Sequence, residues 1–174
     1  MNEQEIIACI CEGAAERAII EVLLDEQKLI FEQQHLLDEK VIRIRSAAKF
    51  EEQYLRKQFA RTIKIYRILD SRRERFKLSE FYENKVEVIN IITAPEIEML
   101  IIHCENQYDD YKKSKKKPSE YCKQNLKYPH VKSYQFVREY FSNADTLIDA
   151  IKQYHQKANI KQNEQTLFDL LAKK

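Results

Sequence analysis

A chain of 174 residues with one glycine has few places for left-handed backbone or close backbone approach. Where that glycine stands therefore constrains the fold. It is Gly13, in the stretch Ile6-Ile7-Ala8-Cys9-Ile10-Cys11-Glu12-Gly13-Ala14-Ala15-Glu16. Residues 5–11 are a short Ile-rich run, the pattern of a strand buried on both faces of a parallel sheet. Ala14, Ala15, Ala18, Ile19, Val22 and Leu23 then recur at i, i+3/i+4 spacing and predict an amphipathic helix to about Leu24. An acid followed by the only glycine, between a strand and a helix, marks Glu12-Gly13 as the candidate active or binding corner.

The same patterning organises the rest. Residues 28–37 read as a connection with some helical character. Val41-Ile42-Arg43-Ile44-Arg45 alternates and predicts a second strand. Ser46 is an N-cap candidate for a helix carrying Phe50, Tyr54, Leu55 and Phe59. Ile63–Leu69 reads as a third strand that ends on Asp70-Ser71-Arg72-Arg73, and Val86–Ile92 as a fourth. Ser79–Tyr82 between them reads as a helical turn. Thr93-Ala94-Pro95 is a helix-start signal, and that helix would bury Ile97, Leu100, Ile101 and Cys104. After about residue 105 only helical segments follow, near 118–126, 132–141, 144–158 and 164–172, preceded by the basic stretch Lys112–Lys117. The expected fold is α/β. Residues 1–105 form a mainly parallel, Rossmann-like four-stranded sheet flanked by helices, and residues 106–174 an all-helical extension packed on it.

Composition narrows the function classes. The chain is 44% hydrophobic and 33% charged, with a net charge of +2, so a nucleic-acid surface would have to come from local clustering. No apolar run nears the roughly 20 residues of a membrane span. The acidic start Met1-Asn2-Glu3-Gln4-Glu5 is not a secretory signal. The expected setting is the cytoplasm, without a membrane partner. Cys9, Cys11, Cys104 and Cys122 lack metal-site or disulfide spacing and read as buried reduced thiols. One glycine rules out the P-loop, the dinucleotide fingerprint and the serine-hydrolase elbow. His35, His103, His130 and His155 have no motif partner and read as structural or exposed.

Ligands of open parallel sheets bind beyond the carboxyl ends of the strands. Acids stand at three predicted ends: Glu12 with Glu16 a turn on, Asp70, and Glu96 with Glu98. Converging carboxylates need a proton or a cation, and Mg²⁺ or Mn²⁺ with oxygen ligands would supply one. The plain alternative is solvated acids at helix N-termini. Arg72, Arg73, Lys115 and Lys116 are the phosphate-contact candidates, with Arg43, Arg45 and Arg75 nearby in sequence. Tyr108, Tyr111, Tyr121 and Tyr128 interleave with the lysines, a pattern suited to stacking on single strands; an ordinary solvated loop is the competing reading.

Cys11-Glu12-Gly13-Ala14-Ala15-Glu16 resembles the first motif of the Toprim domain, shared by topoisomerases, primases and OLD-family nucleases. The resemblance covers about residues 5–104. It implies a divalent-metal-dependent, nuclease-like enzyme with Glu12 as general acid/base or metal ligand and Asp70 as the first acid of an Asp-x-Asp pair. The second acid would fall on Arg72, with Glu74 the acid nearest to take its place. Ala94-Pro95-Glu96-Ile97-Glu98-Met99-Leu100 is similar to the Asn-Pro-x-Phe-Glu-Leu stretch of RloB-like Toprim relatives of bacterial defence loci. That likeness adds Glu98 as a supporting ligand, and a further alternative is an interaction protein of a defence or restriction operon, whose acids would contact a protein partner. Arg72 in the acid's place favours the alternative, a non-catalytic nucleic-acid or nucleotide binding module on the same fold.

Overall fold

The computed structural model describes residues 5–56, 62–93, 97–162 and 164–173. β1 (Glu5–Cys11), β2 (Thr62–Leu69) and β3 (Glu87–Ile92) form a parallel sheet in the order β1-β2-β3. Glu5 pairs with Thr62 through to Cys11 with Ile68, and Lys64 with Glu87 through to Leu69 with Ile92. α1 (Ala14–Asp25) leaves β1 at the Glu12-Gly13 turn, as its spacing predicts. Its carboxyl end closes with Gln27 N–H donating to Leu24 O and Lys28 N–H to Leu23 O.

The four-stranded expectation is corrected to three strands among the described residues. In Val41–Arg45 only Ile42 pairs, as an isolated bridge beside Ile10. Its N–H donates to Cys9 O at 2.8 Å and its carbonyl accepts from Cys11 N–H at 3.0 Å. Only the Ile42 side chain is buried, while Arg43 and Arg45 are exposed. One buried side chain ties the segment to the sheet edge at one point, and the flanking arginines leave it for water. Gln165 makes a similar single bridge beside Ile91 at the other edge.

α2 (Ala47–Phe50) starts where Ser46 Oγ accepts from Lys49 N–H and runs on as a π-helical turn, Glu51–Leu55. The expectation for Phe59 lies outside the described residues, as do Ala94, Pro95 and Glu96. α3 (Glu80–Glu83) is the expected short turn, and α4 (Glu98–Cys104) follows β3. Then come α5 (Tyr108–Ser114), α6 (Pro118–Gln124, with proline in its first turn), α7 (Tyr134–Tyr140) and α8 (Ala144–Lys157). The lysine stretch is thus partly helical. Lys112 and Lys113 close α5, and Lys115 turns the chain in a left-handed conformation with φ of 54°. Residues Leu167–Leu170 form a 3₁₀ turn.

Each face of the sheet has its own apolar layer. Ile7, Cys9, Cys11, Tyr66, Ile68 and Ile91 belong to the larger one, which α1, α4 and α6–α8 complete through Leu100, Cys122, Val137, Phe141 and Leu147. Ala8, Ile10, Ile63 and Ile65 belong to the smaller, with Phe50, Tyr54, Leu78 and Val86. Period-2 alternation produces this split. Cys9, Cys11, Cys104 and Cys122 are free thiols. No helix among the described residues is long and apolar enough to cross a membrane.

Candidate functional site

The acid corner divides along the same alternation. Glu12 continues the Ala8–Ile10 face and meets Arg67 of β2, whose Nη2 donates to Glu12 Oε1 at 3.0 Å. Both side chains are enclosed, at 1% exposure for Arg67 and 7% for Glu12. Arg67 also donates to Asn90 Oδ1 at 3.4 Å and lies over the Phe76 ring, 4.7 Å from its centroid. Burial, then the charge of Glu74, pushes the Glu12 carboxyl up; Arg67 opposes this without cancelling it. Burial lowers the affinity of Arg67 for its proton, and Glu12 counters it.

Asp70 is exposed and continues the other face, that of Tyr66 and Ile68. There the buried carboxylate is Glu16, not a strand-end residue. Its pKa is raised by burial first and then by Asp70 and Glu12, while its own backbone N–H and Lys132 lower it. Glu98, fully buried at the start of α4, pairs with Lys132 Nζ at 3.1 Å. Glu12 and Glu98 each face a cation, while Glu16 senses Asp70, Lys132 and Glu12 together. Among the described residues no three His, Cys, Asp or Glu side chains are grouped to hold a metal ion. An Arg and a Lys occupy the cation role beside Glu12 and Glu98.

Gly13 has φ of −101° and ψ of 165°, extended backbone that any residue adopts. What occupies the space of a side chain here is the Glu16 carboxylate. Left-handed positions are taken instead by Gln27, Asp38, Glu39, Asn106, Lys115 and Lys127.

The basic residues gather elsewhere. Arg72, Lys112, Lys115, Lys116, Lys157 and Lys161 line a cleft of about 520 Å³ with Met99, His103, Tyr108, Tyr111 and Tyr154. Among the described residues no carboxylate lines it. Arg72 is committed at the rim, donating through Nε and Nη2 to Glu164 at 2.7 and 3.0 Å. Lys116 Nζ donates to Asn125 Oδ1 at 2.8 Å. Arg73 is outside the cleft, its N–H bonded to Ser71 Oγ. Tyr108 and Tyr111 reach the cleft; Tyr121 and Tyr128 are held by hydrogen bonds to Gln107 and Glu105.

His103, for which the sequence suggests a structural or exposed place, is 1% exposed and belongs to the cleft wall. It stacks on Tyr108 at 4.9 Å between ring centroids. Neither ring nitrogen has a hydrogen-bond partner among the described residues. Burial, with Lys157 adding to it, drives its pKa down to about 4, so the ring is neutral near pH 7. No local pattern in the sequence marks this grouping, because β2's exit, α4, α5 and α8 meet only in the tertiary fold. No protein-family model, curated protein or solved structure matches the chain.

Proposed function

We propose that the chain is a binding module for phosphate-bearing ligands, nucleic acid or nucleotide, which it takes in the basic cleft beside α4, α5 and α8. One observation carries this: six cations and, among the described residues, no carboxylate line a single concavity in a chain whose net charge is only +2. Like charges gathered this way raise the local concentration of an anion and are stabilised by it. Lys115 and Lys116 are among them, as the lysine run suggests; the Arg72 guanidinium is neutralised at the rim by Glu164, so the five lysines carry the charge. The test is affinity for a single-stranded oligonucleotide and for a nucleotide across a salt series. Lys115→Ala with Lys157→Ala weakens binding roughly tenfold and lowers the salt slope by about one for each phosphate that those lysines neutralise. Binding indifferent to both lysines and to salt sinks the proposal.

The second reading is the Mg²⁺- or Mn²⁺-dependent, phosphodiester-cleaving enzyme implied by the Toprim resemblance, with Glu12, Asp70 and Glu98 as ligands. The buried Glu16 carboxylate, which senses both Asp70 and Glu12, favours it, since crowded carboxylates attract a cation. The pairs Glu12–Arg67 and Glu98–Lys132 place it second. Calorimetric Mn²⁺ titration decides. Uptake that Glu12→Gln and Asp70→Asn abolish supports the enzyme, and no uptake at millimolar metal removes it.

A further inference from the structure

We infer that the ligand of the basic cleft is a nucleoside polyphosphate, with its phosphates on the lysines and its nucleoside at His103. The inference rests on the phosphate-binding reading of the cleft and narrows it to one ligand class.

Charge selects the polyphosphate. Lys112, Lys115, Lys157 and Lys161 make no ion pair with a described residue. Tyr108 steadies two of them, with Lys157 Nζ 4.4 Å and Lys112 Nζ 5.6 Å from its ring centroid. Lys161 feels the Glu164 carboxylate at the rim, and a chain of phosphates can meet several of these ammonium groups at once.

His103 selects the nucleoside. A neutral imidazole has one N–H donor and one lone-pair acceptor. Both are buried and unmatched here. Leaving such groups unpaired costs on the order of 1–3 kcal/mol each. A bare polyphosphate offers only acceptors and can satisfy the N–H alone. Ribose hydroxyls and base amines also donate, so a nucleoside can match both nitrogens. Half-buried Tyr108, on the first turn of α5, covers the imidazole. For a nucleoside to reach the two nitrogens the Tyr108 ring has to move aside, which also takes it from Lys112 and Lys157.

Size and surroundings favour one molecule over a strand. The 520 Å³ cleft falls among small-ligand sites, which span about 300–1,000 Å³. Strand-binding grooves instead run over several nucleotides with successive stacking rings. Tyr121 and Tyr128, which would continue such a track along the lysine run, are turned to Gln107 and Glu105.

The test is calorimetry on the full chain with ATP, inorganic tripolyphosphate and a single-stranded oligothymidylate. ATP is expected to bind about tenfold more tightly than tripolyphosphate. His103→Phe, which keeps a stacking ring, should bring ATP down to the tripolyphosphate level and leave tripolyphosphate unchanged. Lys157→Ala should weaken both. Equal wild-type affinity for ATP and tripolyphosphate overturns the inference without any variant. So does an ATP preference that survives in His103→Phe. An oligothymidylate that binds more tightly than ATP overturns it while leaving the phosphate-binding reading intact. If none of the three binds, both fall.

Discussion

The Glu16 carboxylate lies against the α-carbon of Gly13, so that a β-carbon on residue 13 would overlap Glu16 Oε2 and stand 2.9 Å from its Cδ. The glycine thus leaves room for the far end of a side chain one helical turn away, and its own dihedral angles do not call for it. Gly13→Ala must push a buried carboxylate out of place and also puts a poorer residue at the α1 N-cap. We expect it to cost about 1 kcal/mol. In a Glu16→Ala background the steric part disappears, and a denaturant double-mutant cycle reads the difference. Equal losses in both backgrounds would detach the glycine from Glu16.

The complementary prediction concerns Gln27. It closes α1 with φ of 51°, its N–H on Leu24 O and the next N–H on Leu23 O. Helices commonly end in this paired-hydrogen-bond geometry with glycine at the left-handed residue. Gln27 is exposed, so its side chain has little packing to lose. Gln27→Gly should raise stability by about 1 kcal/mol, the strain that a β-carbon adds in this region. Thermal or urea unfolding checks it, and a destabilised variant refutes it.

The Arg67–Glu12 pair crosses from β2 to the end of β1 in a nearly closed space. Arg67→Met leaves the Glu12 carboxylate buried without its cation and should cost about 3 kcal/mol. Glu12→Gln keeps an oxygen that can accept from Arg67 Nη2 and should cost less, about 1 kcal/mol. Urea midpoints on the two variants settle the order. The reverse order would mean that Glu12 is relieved by something other than Arg67.

β1, β2, β3, α1, α4 and α6–α8 are legible in sequence because each carries its own apolar period; α5, which buries no side chain, is not, and the helix expected near 164–172 is only the 3₁₀ turn Leu167–Leu170. Val41–Arg45 carries the same alternation, yet only Ile42 pairs, beside Ile10, and the β1 edge at Ile7 is bridged by Leu36 instead. The lone glycine does stand between β1 and α1, but the reason for it, the path of the Glu16 side chain, is tertiary information. Position at the strand ends groups the acids as one set. Alternation sends Glu12 to Arg67, while Glu16 on α1 stays within electrostatic reach of both Asp70 and Glu12. The lysine run is visible in the sequence, whereas Lys157, Lys161 and His103 lie about 40 residues or more from the run or on another helix and carry no local mark.

Glu16 gives a pH signature. Its folded pKa lies above the ordinary 4.5, chiefly from burial. The folded state therefore holds a proton that the unfolded chain has released, and Glu16's contribution declines as pH rises from the unfolded value through the folded one. Glu16→Gln mimics the protonated acid. Relative to wild type it should gain stability as pH rises out of the acid range, measured by chemical denaturation from about pH 4 toward neutrality. A wild-type-minus-variant difference that stays flat with pH would show that Glu16 titrates normally.

His103 should act in the opposite sense. Its folded pKa of about 4 lies below the ordinary 6.5, so the unfolded chain takes up a proton that the folded chain refuses. The stability held by the neutral imidazole is complete above the unfolded value and drains as pH falls from 6.5 toward 4. Its full size is on the order of 3 kcal/mol. His103→Phe removes this dependence while keeping a ring against Tyr108, so wild type should lose stability on acidification faster than the variant through this window. The Glu16 and His103 slopes have opposite signs in wild type, and only the two variant differences separate them. Direct imidazole titration by NMR supplies the independent check: a His103 pKa near 6.5 would place the ring in water rather than in the wall of the cleft.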